Sequence, residues 1–202
     1  MRSTATQFPT VAAVALGLLL LGFAAGRARS EATGSVAGNV SATPQRYLAE
    51  TVIYLDGVPG RPAPKTLEMD QKSMQFVPHV LAVAVGDTVR FWNHDTVAHN
   101  VFSPEGDYNL GVWPPGEYRE HVFKKQGAFT QLCSLHPEML AYVFVAPSRH
   151  AVVVDSSGHF TLTDVPAGKY QLLIWNSHLH APQQTVVVKA AEATQASFTL
   201  HR

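Results

Sequence analysis

Apolar and polar residues alternate at a period of two through most of this chain, and that pattern leaves few folds open. Val89 and Phe91 alternate with Arg90 and Trp92, and Tyr170, Leu172 and Ile174 with Gln171, Leu173 and Trp175. Phe198 and Leu200 repeat the pattern near the end. A period of two puts one set of side chains on each face of a strand. Turn signals interrupt the runs at Val85-Gly86-Asp87, Glu105-Gly106-Asp107, Pro114-Pro115-Gly116, Gln126-Gly127, Ser156-Ser157-Gly158 and Pro166-Ala167-Gly168. A spacing of about ten residues between turns predicts β-sandwiches. After residue 30 no stretch sustains a helical period, although a single turn fits around Pro137 to Leu140. The expected fold class is all-β.

Residues 1–30 read differently. Arg2 precedes an apolar run from Val11 to Ala25, and Ala28-Arg29-Ser30 supplies small residues suited to cleavage. This is the layout of a secretory signal peptide. The run is shorter than the roughly 20 residues a spanning helix needs, so no membrane span is expected after cleavage, while an uncleaved anchor stays open. Export implies an oxidising compartment, the periplasm in a Gram-negative source. Residues 1–30 hold three of the 15 Lys and Arg and none of the 15 Asp and Glu, which leaves the remainder at a formal charge of −3. No basic stripe marks a nucleic-acid partner.

Cys133 is the only cysteine of the chain. It cannot form an internal disulfide, so metal ligation or simple burial must protect it. It opens the stretch Cys133-Ser134-Leu135-His136-Pro137-Glu138-Met139, and His99 lies on a separate segment upstream. A thiolate, two imidazoles and a weak thioether form the donor set of a mononuclear copper electron-transfer site, able to hold Cu(I) and Cu(II). A cysteine leaving a strand, followed by a short curled loop, lets the residues three and six positions on approach one point. A sandwich of the same shape without metal is the plain alternative. Structural zinc is disfavoured because thioether is a poor zinc ligand. Among the other histidines, His79 in Phe76-Val77-Pro78-His79-Val80 could approach the metal end or cap a strand. His94, His121, His150, His159 and His201 read as solvated, and His178 and His180 would share a face if they lay on a strand, where such a pair is more often incidental than a weak surface metal site. No nucleophile elbow, zinc-protease motif or phosphate loop occurs, so the chain is read as a carrier and not an enzyme.

The segment Gly86-Asp87-Thr88-Val89-Arg90-Phe91-Trp92-Asn93, followed by His99-Asn100-Val101, resembles the first-histidine region of amicyanin and plastocyanin. The Cys133 loop is similar to the short ligand loop of amicyanin, and Gly127-Ala128-Phe129-Thr130-Gln131-Leu132 resembles the strand that delivers the family's cysteine. The resemblance to cupredoxins covers about residues 66–147. It implies a Greek-key sandwich holding one copper through His99, Cys133, His136 and Met139. It further implies a buried imidazole at His99, an imidazole nearer solvent at His136 and a weak axial thioether at Met139. Asn100 and Ser134 are implied as the pair that ties the two ligand loops together, with His79 a weaker supporting candidate. Leu135, Pro137 and Leu140 could form an apolar rim for a redox partner such as a cytochrome c or a dehydrogenase.

After Ala146-Pro147-Ser148 the patterns Asp155-Ser156-Ser157-Gly158-His159-Phe160-Thr161-Leu162 and Asp164-Val165-Pro166-Ala167-Gly168-Lys169-Tyr170 resemble the carboxypeptidase regulatory-like family of small sandwiches. The opening strands of that family are matched upstream, at Gly34-Ser35-Val36 and Thr51-Val52-Ile53-Tyr54-Leu55. The expectation is one sandwich built from residues 34–60 and 148–202, with the copper domain inserted at 66–147. The alternative is consecutive domains, 34–147 and 148–202. The combination resembles exported bacterial proteins labelled methylamine utilization or plastocyanin-like proteins. Three functions follow as expectations: an exported blue copper electron carrier, a periplasmic copper chaperone or buffer, or an envelope binding module whose copper half is vestigial. The sequence does not indicate an oligomeric state.

Overall fold

Period-two patterning yields strands almost throughout the computed structural model, which describes residues 32–60 and 63–202. The first strands are β1 (Thr33–Ala42) and β2 (Thr51–Asp56), joined by a short 3-10 helix over Gln45–Glu50. Nine strands follow: β3 (Thr66–Lys72), β4 (Gln75–Val77), β5 (Val80–Ala84), β6 (Thr88–Asn93), β7 (His99–Ser103), β8 (Tyr108–Trp113), β9 (Tyr118–Val122), β10 (Gly127–Leu132) and β11 (Leu140–Ala146). The last five are β12 (Ala151–Val153), β13 (His159–Pro166), β14 (Gly168–Asn176), β15 (Gln184–Val188) and β16 (Ala193–Leu200).

Four sheets result. Strands β3 to β11 make two of them, ordered β4-β3-β6-β9 and β5-β11-β10-β7-β8. The parallel pairs β3–β6 and β5–β11 join strands that are not consecutive, as crossing Greek-key connections require. Between these sheets lies a core of Met69, Phe76, Val89, Phe91, Val101, Trp113, Phe123, Met139 and Val143, with Cys133 at its margin. In β6 the alternation holds as read: Val89 and Phe91 are fully buried, Arg90 and Trp92 only partly. The other two sheets run β13-β1-β16 and β12-β2-β14-β15. β1 pairs antiparallel with β13 and parallel with β16, while β2 lies between β12 and β14. Their core holds Val36, Ile53, Leu55, Phe160, Leu162, Tyr170, Leu172, Phe198 and Leu200. Gly38 in β1 allows the close pairing with β16, because a Cβ there would lie 1.6 Å from the Ala196 carbonyl oxygen.

The outward faces of β2 and β14 are not left to solvent. Val52, Tyr54 and Trp175 pack against Val80, Ala82, Ala128, Tyr142, Phe144 and Ala146 of the other sandwich. Trp175 stacks on Phe144 with ring centroids 5.4 Å apart, and Tyr54 meets Phe144 at 4.9 Å. The alanines let the two sheets approach closely. Beside this seam, Arg149 donates two hydrogen bonds to the fully buried carboxylate of Asp87, at 2.7 and 2.9 Å. The N–H groups of Lys65 and Ala84 complete the coordination of that carboxylate. Burial pushes the Asp87 carboxyl upward, but Arg149 and the two amides outweigh it and hold the group below its usual range.

Candidate metal centre

The antiparallel contact between β10 and β7 pairs Leu132 with Phe102. Continuing that register brings Cys133 alongside the start of β7, where His99 and Asn100 stand. Cys133 and His99 are both buried, His99 completely. Beyond Cys133 the chain turns at Pro137 and Glu138, and the Met139 N–H closes the loop on the His136 carbonyl at 3.0 Å. The closure returns His136 to the sulfur. His136 is the more exposed of the two imidazoles.

Three donor atoms converge. His99 Nδ1 and His136 Nδ1 are 3.0 Å apart, and Cys133 Sγ lies 3.8 and 3.7 Å from them respectively. A triangle with these sides has its centre about 2.0 Å from each corner, close to the roughly 2.0–2.3 Å reach of metal–imidazole and metal–thiolate bonds. This is the one such cluster of His, Cys and carboxylate donors among the described residues. Met139, the fourth residue expected there, is buried in the same apolar cluster as Cys133. A soft thiolate and thioether with two imidazoles suit copper in either oxidation state.

The buried imidazole is held from behind. His99 Nε2 meets Asp95 Oδ2 at 3.2 Å. An ionised carboxylate only accepts, so this contact places the imidazole hydrogen on Nε2 and leaves Nδ1 its lone pair. Asp95 stays ionised because the Met74 N–H, 2.7 Å from Oδ2, holds its carboxyl below the usual range, aided by the Thr96 N–H and His99 itself. Buried Asn93 shapes the loop carrying Asp95, donating to the carbonyls of Val97 and Trp113 and accepting from the Asp95 N–H.

Asn100 is the hub. Its backbone N–H points at Cys133 Sγ, 3.4 Å away, and its Oδ1 accepts from the Ser134 N–H at 3.1 Å. Its Nδ2 donates to Asn109 Oδ1 and the Gly111 carbonyl, both at 2.8 Å. Gln71, fully buried on β3, donates Nε2 to the Asn100 carbonyl at 3.1 Å.

The tertiary structure thus gathers His99, Cys133 and His136, with Asn100 and Ser134 bonded to each other beside them. His79 keeps other company: its Nε2 lies 3.7 Å from Glu50 and its ring meets Tyr142 edge-on at 5.6 Å. It therefore joins the seam between the sandwiches and not the donor cluster. Two histidines read as solvated are half-buried. His121 stacks on Tyr108 at 3.9 Å, and burial pushes the imidazoles of both His121 and His150 below their ordinary pKa. Asp95, Asn93 and Gln71 escape the sequence reading. A carboxylate four residues before His99 is the signal that could have revealed Asp95. Leu135 and Leu140 are exposed, as is Val97 two residues before His99.

Residues 63–146 match the family of copper binding proteins, plastocyanin/azurin family, and residues 150–196 match polysaccharide lyase family 4, domain II. Similar solved structures include a novel purple cupredoxin from Nitrosopumilus maritimus, 28% identical over 39% of this chain and 97% of that one, with a TM-score of 0.36. A reduced amicyanin variant is 27% identical over 40% of this chain and 81% of that one, with a TM-score of 0.37. A copper-containing nitrite reductase from Thermus scotoductus SA-01 is 26% identical over 43% of this chain and 23% of that one, with a TM-score of 0.37.

Proposed function

We propose, on the premise that residues 63–146 form a cupredoxin domain, that the protein carries single electrons through one copper ion held by His99, Cys133, His136 and Met139. The observation that carries this reading is the triangle of two Nδ1 atoms and one Sγ, with sides of 3.0, 3.7 and 3.8 Å. Copper in such a set supplies reversible exchange of one electron between Cu(I) and Cu(II).

The residues around it do the rest. The Asn100 N–H steadies the negative sulfur. Asp95 fixes the orientation and tautomer of His99. The hydrogen bonds of Asn93 and Asn100 tie the ligand loops to strands, so the donors move little when charge changes, which favours fast transfer. His136 lies toward solvent, and exposed Leu135 and Leu140 flank it in the chain. A redox protein such as a cytochrome c or a dehydrogenase would dock there. Copper delivery is the weaker reading, because a buried cysteine and a buried histidine are poorly placed for hand-over to another protein. The protein would be a carrier without catalysis of its own.

Export to the periplasm belongs to the same proposal and is supported by the signal-like residues 1–30, which lie outside the described residues. The proposed domain division is a sandwich of residues 34–60 with 148–202 and a copper domain at 66–147. The pairing of β1 with β13 and β16, and of β2 with β12 and β14, supports it. Reconstitution with Cu(II) tests the function. An intense blue absorption that is lost in Cys133→Ser is expected; a colourless Cu(II) adduct of the wild-type chain would refute the assignment.

A further inference from the structure

The chain contains a single Asp-Gly bond, Asp56-Gly57, and no Asn-Gly bond. Asp56 is the last residue of β2, where it pairs with Gln171 of β14. Gly57 begins the connection that leaves this sandwich for β3 of the copper sandwich. Both residues are exposed.

The local geometry brings two reactive groups together. The Gly57 N–H donates to Asp56 Oδ1 at 2.8 Å, so the amide nitrogen sits beside the carboxyl group of the residue before it. Gly57 has a φ of +80°, and a Cβ built there would meet no heavy atom within 4 Å. Glycine brings no side chain to hinder its own nitrogen, and its wide conformational range lets a small ring close across the bond. Exposed loop positions also have the least packing to resist such a change. Other aspartates are held differently. Asp155 Oδ1 accepts from the N–H groups of Ser157 and His159, two and four residues on, at 2.8 and 2.9 Å. Asp95 does accept from the N–H of Thr96, but Met74 and His99 hold its other oxygen and the residue that follows it is β-branched. Asp87 is buried and bonded to Arg149.

We propose that Asp56-Gly57 is a site of spontaneous succinimide formation and isomerisation at the junction between the sandwiches. The Gly57 nitrogen attacks Cγ of the neutral Asp56 carboxyl group and gives up its proton, and the carboxyl hydroxyl leaves with a proton as water. The ring then joins the Gly57 nitrogen to both carbonyl carbons of residue 56. Water opens it at either carbon. Breaking the N–Cγ bond restores aspartate; breaking the bond to the main-chain carbonyl leaves isoaspartate, with the chain running through Cβ and Cγ. One water is lost and one regained, and no oxidant or metal takes part. Isoaspartate lengthens the link by one backbone atom. The link can absorb this, because Gly57 and Gly60 both have positive φ and its far end is held by Arg149 on the Ala63 carbonyl. The site shares no residue with the copper donors, so it stands apart from the electron-carrier reading.

Incubating the full folded chain for weeks in mildly acidic buffer, followed by proteolysis and fragmentation mass spectrometry, tests the proposal. A peptide lighter by one water at residues 56–57 is expected first, then isoaspartate at the same position. Its rate should exceed that at Asp155-Ser156 and at Asp95-Thr96 at least tenfold, and should be comparable to that of the chain unfolded in urea. Asp56→Glu should remove the water-loss product at this position, because the ring it would need is larger and closes more slowly. A folded chain that stays intact at Asp56 while the unfolded chain isomerises overturns the proposal. So does isomerisation at Asp56 no faster than at Asp155.

Discussion

Around the donor cluster, single residues decide how the site behaves. A carboxylate 3.2 Å from a ligand imidazole favours the more positive state of whatever the imidazole holds. Asp95→Asn should therefore raise the reduction potential of the copper-loaded protein, by tens of millivolts, on the order of 1 kcal/mol for a one-electron couple. Cyclic voltammetry reads this directly, and a lowered potential would count against the role of Asp95. Met139→Gln should move the potential the other way, because a harder oxygen donor stabilises Cu(II) relative to a thioether. An unchanged potential would remove Met139 from the ligand set. The residue types were legible here: one cysteine, with histidine and methionine three and six positions on, is a rare pattern. Asp95, Asn93 and Gln71 were not legible, because an isolated polar residue in a loop or strand reads as solvated until its burial is known.

At the scale of elements, the site depends on two connections that share one side chain. Asn100 is the second residue of β7, yet its amide binds the ligand loop after β10 at Ser134 and the β8 strand at Asn109 and Gly111. Asn100→Ala would leave the Ser134 N–H and the Gly111 carbonyl, both partly buried, without their partner. The expected cost is roughly 1–2 kcal/mol in denaturant unfolding, the lower part of the range of about 1–3 kcal/mol for an orphaned buried group, because solvent can replace part of each bond. A loss below about 0.5 kcal/mol, the range of ordinary surface substitutions, would mean that strand pairing alone holds the loops. The alternation in β6 and β14 identifies strands and faces, but it misreads what the second face of β14 meets. Leu173 and Trp175 look like an outer face, and Trp175 instead lies against Phe144 and Tyr142 of the other sandwich.

For the whole molecule, the seam between sandwiches is the organising feature. Arg149 follows β11 and Asp87 lies on the β5–β6 turn, so their ion pair braces the copper sandwich where the chain leaves it. Arg149→Met strands a buried carboxylate and should cost roughly 3 kcal/mol, the lower end for a broken buried pair because the arginine is partly exposed. The Asp87 carboxyl is held below its ordinary pKa in the folded protein. Its contribution is therefore fully present above the unfolded carboxylate pKa of about 4 and is lost as pH falls through the lower folded value. Unfolding curves of wild type and Arg149→Met should converge as pH falls from about 4, the unfolded value, through the lower folded value at which Asp87 takes up its proton. Parallel curves across that range would show that the pair does not set acid stability.

Strand character, the β class and the donor residues follow from local pattern, because a period of two, turn chemistry and the chemistry of cysteine, histidine and methionine each act within a few residues. Partnership does not. The pairing of β1 with β16, the burial of Trp175 against a second sandwich and the contact of Asp95 with His99 all join residues whose alternatives the chain leaves open. Only the close packing of four sheets selects among them, since a buried polar group must find its partner wherever the fold brings one.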